Sequence, residues 1–315
     1  MIGTRTICFL FTAAALLTAH GAERFSRYRH AFSYDTLALQ VQLDRINLSC
    51  NCIDGFWGAR TEIALMTWQL LNGLEPTGKP DAKVLAALGG DTNVLQSVVV
   101  SAADYAGLVN IPADWKARSR LVSMNYSSVL ERLAEKSHAT EGLLRRLNPS
   151  VHWPNPTVGT VVRLPACNPP GKKRRTQEYA SVLRISLSRM EITAFNAAGS
   201  LIALFPCSIA REKAHRPAGQ LAVKNVAANP TYLYDPQLFT PGTKDKVKLQ
   251  IPAGPNNPVG TGWIGLSLQG YGIHGTPSPD KIGQAASHGC FRLANWNADK
   301  LMHMVSPGVP ILVEE

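Results

Sequence analysis

At 315 residues the chain is long for one compact domain, so two or three units are expected. Hydrophobic residues make up 45% of it and charged residues 17%, a balance that excludes a disordered chain. The formal charge of +10, from 32 Lys and Arg against 22 Asp and Glu, favours polyanionic surroundings such as nucleic acid, an anionic membrane surface or an acidic wall polymer.

Thr4-Arg5-Thr6 leads into an apolar run through Phe9-Leu10-Phe11 and on to Leu17. Ala19-His20-Gly21 then supplies small residues at the two positions a signal peptidase reads. These three parts predict a secretory signal over residues 1–21, with an uncleaved anchor as the rival reading. No later stretch approaches ~20 apolar residues, so the processed chain is not expected to be an integral membrane protein. Cleavage would leave Cys50, Cys52, Cys167, Cys207 and Cys290. An odd number in an oxidising compartment suggests paired cysteines and one free thiol.

Residues 35–90 read as a small three-helix domain. Leu37, Leu39, Val41 and Leu43 precede the loop Cys50-Asn51-Cys52-Ile53-Asp54-Gly55-Phe56-Trp57-Gly58. Ile63, Leu65, Met66, Trp68 and Leu70 have helical spacing up to Asn72-Gly73, and Val84–Leu88 gives a third helix stopped by Gly89-Gly90. The order of Ile53-Asp54-Gly55, Gly58, Thr61, Ala64-Leu65 and Trp68-Gln69 resembles the peptidoglycan-binding helical domain appended to many wall hydrolases. A packing module with no ligand of its own is the competing reading.

Residues 103–166 carry two short helical patterns, from Tyr126 through Ala134 and from His138 to Leu147-Asn148-Pro149, and then a turn and a short strand over Val158–Pro165. This order resembles a LysM module, a family that grips N-acetylglucosamine chains. Residues 167–177 are a linker, because Pro169-Pro170-Gly171 breaks regular structure and Lys172-Lys173-Arg174-Arg175 extends by self-repulsion. Alone, such a cationic run suggests nucleic acid. An export signal argues against that partner and for a tether near acidic wall polymer.

From Tyr179 the pattern turns to strands: Val182–Leu187, Glu191–Asn196 and Leu201–Phe205, with a late helix over Trp296–Val305. Two segments carry chemistry, Tyr271-Gly272-Ile273-His274-Gly275-Thr276 and Ser287-His288-Gly289-Cys290-Phe291-Arg292. A thiol attacks as thiolate and needs a base or cation nearby; His274 and His288 are the available partners. Gly289 allows a tight turn, so its N–H and that of Cys290 are placed to face a developing oxyanion. Arg292 shares a face with Cys290 if the stretch is extended, within reach of a substrate carboxylate. Zinc is the rival use of these residues, but the spacing fits no common structural zinc pattern. A simply buried cysteine is the other rival.

The pattern His-Gly-Thr, ten intervening residues, then Ser-His-Gly-Cys-x-Arg-Leu resembles the signature of the L,D-transpeptidase (YkuD-like) catalytic domain. So do Ile251–Leu266 and Arg216-Pro217-Ala218-Gly219, where the family's usual Thr is replaced by Arg216. The resemblance covers residues 178–315. It implies a multidomain α+β chain: a small three-helix domain, a LysM-like α/β module and a β-rich catalytic domain with a mixed, sandwich-like sheet. It further implies that Cys290 is the nucleophile toward the third residue of a peptidoglycan stem peptide and His274 the base. His288 and Gly289 would shape the oxyanion site, with Ser287 and Gly275 in support. Arg292 is either a substrate-binding residue or a structural ion-pair residue.

No metal or organic cofactor is implied, and the expected partner is peptidoglycan, stems and glycan strands, in the periplasm or cell wall. Hydrolysis of the same thioester (L,D-carboxypeptidation) and a catalytically inactive wall-binding protein are the alternatives. With Cys290 free, the other four cysteines would form two disulfides, joining Cys50 and Cys52 to Cys167 and Cys207.

Overall fold

A computed structural model of the chain describes residues 31–88, 93–168, 178–239, 246–287 and 289–315. The expected signal peptide, most of the expected linker and His288 lie outside the described residues. Helices α1 (Tyr34–Arg45), α2 (Ala59–Leu71) and α3 (Ala82–Leu88) form the front unit. Ser33 opens α1 by accepting from the Asp35 and Thr36 amides, which satisfies first-turn N–H groups that have no helical partner.

The two-residue spacing of Leu37, Leu39, Val41 and Leu43 looks strand-like but arises from a helix buried on two faces. Leu39 and Leu43, four apart, pack with Leu65 and Trp68 inside the helical unit. Leu37 and Val41 pack instead against Leu130, Leu133 and Leu144 of the next unit.

That middle unit comprises β1 (Leu95–Val99), α4 (Ala102–Tyr105), α5 (Trp115–Arg118), α6 (Val129–Lys136), α7 (Glu141–Leu147) and β2 (Val161–Pro165). β1 and β2 pair antiparallel, with Leu95 opposite Pro165 and Val99 opposite Val161. The first strand therefore lies ahead of the expected start at residue 103. Asn148 joins α7 to β2: its side chain donates to the Leu144 and Arg163 carbonyls and accepts from the Arg163 amide at 2.7 Å.

The last unit carries β3 (Val182–Ser186), β4 (Glu191–Phe195), β5 (Leu201–Pro206), β6 (Ile209–Ala210), β7 (Gly219–Ala228), β8 (Tyr232–Tyr234), α8 (Pro236–Phe239), β9 (Leu249–Ile251), β10 (Gly262–Leu266), β11 (Gly272–His274), β12 (Ala285–Ser287), β13 (Phe291–Arg292), α9 (Asn295–Met304) and β14 (Pro310–Glu314). Eight strands form one mixed sheet in the order β13-β11-β10-β7-β14-β3-β4-β5. Its core includes Leu183, Ile185, Phe205, Ile264, Ile273, Phe291 and Leu301. Arg216, the departure from the family's Thr, donates through Nε to the Ala210 carbonyl at 2.9 Å and through Nη2 to that of Arg211. No helix among the described residues is long and apolar enough to cross a membrane.

The three units share one buried ionic junction. Asp44 of α1 is 1% exposed and accepts from His138 Nδ1 at 2.8 Å and Lys300 Nζ at 3.1 Å. Each partner comes from a different unit. Burial alone would raise the Asp44 pKa, but His138 and Lys300 hold its carboxyl well below the usual range. His138 in turn stacks on Trp296, with ring centroids 5.2 Å apart.

The expected disulfides are absent: the five described cysteines are free thiols. Cys50, Cys167 and Cys207 sit in the interiors of the front, middle and last units respectively. Each is enclosed by side chains of its own cluster, Cys167 donating to the Ser137 carbonyl, while Cys52 is half-buried and lines a cavity.

Breaking the ionic junction on one side strands a buried charge. Lys300→Met should lower the unfolding free energy by about 3 kcal/mol or more in urea followed by circular dichroism. Asp44→Asn combined with Lys300→Met should recover part of that loss.

Candidate active site

β11 and β13 pair in parallel at the sheet edge, with Ile273 opposite Phe291 and His274 opposite Arg292. Ile273 and Phe291 are both fully buried in the core. Alternation along a strand then puts His274 and Arg292 together on the other face. Cys290 lies one residue before β13, and its thiol is within electrostatic reach of Arg292 and Tyr232.

The segment carrying Cys290 is clamped from both sides. β12 pairs with β6, and Arg292 exchanges backbone hydrogen bonds with Ser208 at 2.9 and 3.0 Å. Within it, Ser287 Oγ donates to the Cys290 carbonyl at 2.6 Å and accepts from the Gly289 amide at 3.3 Å. The Gly289 N–H expected to face an oxyanion is thus directed into the loop. What position 289 requires is the absence of a side chain, since a Cβ there would approach the Tyr271 ring at 3.0 Å.

His274 is 5% exposed. Its Nδ1 lies 2.7 Å from the Gly275 carbonyl, and a carbonyl only accepts, so Nδ1 carries the proton and Nε2 keeps a free lone pair. Trp263, opposite in the β10–β11 ladder, stacks on the imidazole with centroids 5.8 Å apart. Burial, opposed by the Gly275 bond and assisted by Arg292, brings the His274 pKa down to about 4. Burial also pushes the Cys290 thiol up, against the pull of a Gly272 backbone bond and Arg292. At rest the thiol and the imidazole are both neutral, and the thiol is directed at the Gly270 carbonyl, 3.7 Å away, rather than at His274.

Gly275 is held in turn by Asn295, whose Oδ1 would lie 2.1 Å from any Cβ at that position. The Asn295 amide donates to both Glu135 oxygens at 3.1 Å and to the Pro255 carbonyl. Burial raises Glu135 to about 8 despite its bonds from Asn295 and Tyr126. Helix α6 of the middle unit therefore reaches the Asn295 side chain that packs on Gly275, beside His274.

Two cavities flank the loop Thr276–Lys281. One of about 290 Å³ is lined by Arg118, Lys281 and Arg292 together with Trp115, Asn256 and Thr276. The other, of about 320 Å³, is lined by Glu131, Glu135, Glu141 and Asp280 with Cys52 and Trp296. Among the described residues, Asp44, His138 and Cys167 bring metal-type donor atoms within 4.8 Å of one another. The Lys300 ammonium on Asp44 Oδ2 stands where a cation would have to sit.

The structure thus gathers Cys290, His274, Ser287, Gly289, Gly275 and Arg292 at one sheet edge. Trp263, Tyr271 and Asn295 gave no signal as support residues, although the first two lie in segments singled out for the family pattern. Tyr232 had no local signal at all.

Residues 180–313 match the family model described as "L,D-transpeptidase catalytic domain" (YkuD), and residues 33–88 that described as "Putative peptidoglycan binding domain". The chain carries an L,D-transpeptidase catalytic domain of the YkuD family, preceded by a domain of the peptidoglycan-binding family.

A relative from Bacillus licheniformis, "Putative L,D-transpeptidase YkuD", is 24% identical over 184 residues, covering 58% of this chain and 92% of that protein. "Putative L,D-transpeptidase YqjB" of Bacillus subtilis is 31% identical over 105 residues, 31% of this chain and 52% of its own length. Among solved structures, an L,D-transpeptidase from Xylanimonas cellulosilytica is 17% identical with a TM-score of 0.37, covering 93% of this chain and 98% of that one. L,D-transpeptidase 1 of Mycobacterium tuberculosis is 19% identical with a TM-score of 0.30, covering 42% and 60%. Both overlaps are too loose to bear on the chemistry.

The neutral resting pair makes a prediction for thiol reactivity. Labelling of Cys290 by iodoacetamide, followed peptide by peptide in a mass spectrometer, should rise about tenfold per pH unit from pH 7 and still be rising at pH 9. A plateau between pH 5 and 8 would reveal a preformed thiolate–imidazolium pair instead.

Proposed function

We propose that the chain is an exported L,D-transpeptidase that joins peptidoglycan stem peptides through a thioester on Cys290. The observation that carries this reading is the fixed tautomer of His274, which leaves Nε2 its lone pair, on a residue paired in register with Arg292, two positions after Cys290.

The steps follow from those groups. Nε2 takes the thiol proton as Sγ attacks the carbonyl of the third stem residue, and the neutral pair means this transfer accompanies attack. The tetrahedral intermediate collapses to the thioester when the amine of the terminal D-Ala departs with the proton from His274. An acceptor amine then attacks, and its proton returns through the same nitrogen as the thiol is released. Ser287 braces the bend, Gly275 orients the base, and His288 contributes to the oxyanion site as the family pattern implies. Arg292 is assigned to substrate: among the described residues no carboxylate pairs with it, which favours this role over a structural ion pair.

Attack by water on the same thioester would give L,D-carboxypeptidation. Transfer is favoured because an oriented amine has the advantage over bulk water, and two cavities flank the loop that follows Gly275. Purified chain mixed with disaccharide-tetrapeptide should yield dimers joined between third-position residues, resolved by mass spectrometry. His274→Ala should slow that product by roughly 10²–10⁴-fold. Tripeptide and free D-Ala alone, at high acceptor concentration, would establish the hydrolytic reading.

The helical unit and the LysM-like middle unit are assigned to holding the wall. The full chain carrying Cys290→Ala should co-sediment with purified sacculi, with added salt weakening the binding but not abolishing it.

A further inference from the structure

The cavity beside Arg292 is built from two units of the chain. Arg292, Lys281 and Thr276 come from the catalytic unit, while Trp115 and Arg118 come from helix α5 of the middle one. The position of α5 follows from its local chemistry. Asp114 caps it through the Ala117 amide at 2.7 Å, and the Trp115 ring stacks on Tyr234 of β8 at 4.3 Å and 14°. Leu121, Met124 and Ile251 close an apolar cluster around that stack, and the Met124 amide donates to the Ala253 carbonyl at 2.8 Å. Arg118 is oriented by two contacts: its guanidinium lies 4.7 Å over the Trp115 ring, and Nε donates to the Pro112 carbonyl at 2.6 Å. Among the described residues its Nη groups have no partner.

Three cations therefore line one concave surface to which no carboxylate contributes. Among the described residues none of the three is ion-paired. The cavity's acidic counterpart, on the far side of Pro277, holds four carboxylates. Like charges gathered in a partly desolvated space repel one another, and an entering anion relieves that repulsion. The remaining lining is polar or apolar: Ser208, Asn256, Ser278 and Gln284 offer hydrogen bonds suited to a peptide backbone, and Trp115 offers an apolar wall.

We infer that Arg118, Lys281 and Arg292 form a subsite for the carboxylates of the donor stem peptide, so that the middle unit supplies a specificity-determining residue to the catalytic cleft. The inference rests on the proposed function for its choice of ligand. Arg118 is a positioning residue here, since its role is to hold the donor while Cys290 and His274 carry the chemistry. The guanidinium fork suits a carboxylate taken through two parallel hydrogen bonds, and Lys281 adds a mobile point charge at the rim.

The test is a calorimetric titration of Cys290→Ala protein, which binds without turning over, with a free stem tetrapeptide and with the same peptide whose carboxylates are converted to primary amides. Adding Arg118→Ala should weaken binding of the free acid tenfold or more and leave the amide's affinity unchanged. Arg118→Lys should restore part of the loss. Lys281→Ala, at an exposed position, should shift the free acid in the same direction with no risk to folding. Equal losses for acid and amide, or no loss for either, would overturn the inference. These titrations separate it from the function itself: a wild-type chain that forms no cross-link or tripeptide yet keeps this charge-dependent binding would refute the Cys290 chemistry and leave the subsite standing.

Discussion

Ile273 and Phe291 face each other across a two-residue parallel ladder, and both are buried to the last atom in the sheet's core. This pair fixes the face on which everything else must lie. With Ile273 inward, His274 turns to the other face, where it stacks on Trp263; with Phe291 inward, Arg292 turns there too and lines a cavity. A slip of one residue on either strand would exchange a core side chain for a polar one and bury a cation. The hydrophobic demand of the sheet edge therefore specifies the relative positions of His274, Cys290 and Arg292. The Gly275 carbonyl then selects the imidazole tautomer, and the close approach of Asn295 explains why residue 275 carries no side chain.

Around that edge the three units are interlocked rather than strung out. Leu48 bridges to Leu204 at the far edge of the sheet, and Ile53 bridges to Ala139 in the middle unit. Asp44, His138 and Lys300 close a buried ionic junction to which all three contribute. Asn256 donates to Glu131 of α6, and Glu135 holds the Asn295 that borders the base loop. The residues read as wall anchors thus also border the segments around His274 and Arg292, from Glu135 on the Asn295 side chain to Arg118 in the cavity that Arg292 lines.

Much of this was legible in the sequence. The three front helices, the strands β3 to β5 and helix α9 are signalled by local periodicity, and a short motif marks the segments of His274 and Cys290 that meet at the sheet edge. Other features were hidden because their cause is distant. Trp115 meets Tyr234 across more than a hundred residues, and nothing near either one announces the contact. Strand β1 was missed because Leu95–Val99 is a five-residue strand with only partial burial, too weak a pattern to recognise without its partner β2. The disulfide expectation failed for the same reason: counting cysteines says nothing about which interior each one enters. What sets Cys290 apart is therefore the Arg292 cation beside it, since Cys50, Cys167 and Cys207 are free but buried, and Cys52, equally half-buried, has its thiol pushed up by burial together with Asp280, Asp54 and Glu135.

On the proposed mechanism a neutral thiol and a neutral imidazole reserve their reactivity for a bound acyl donor, because proton transfer is then driven by the forming bond. The claim that Cys290 carries an acyl group is tested most directly by trapping that group. Chain mixed with tetrapeptide donor in the absence of acceptor should be quenched in acid within the first turnover and digested for peptide mapping. The account predicts a tripeptide-acyl mass on the peptide containing Cys290, released by neutral hydroxylamine as a thioester must be. An acyl group on any other residue, or product formed with the Cys290 peptide unmodified throughout, would contradict it.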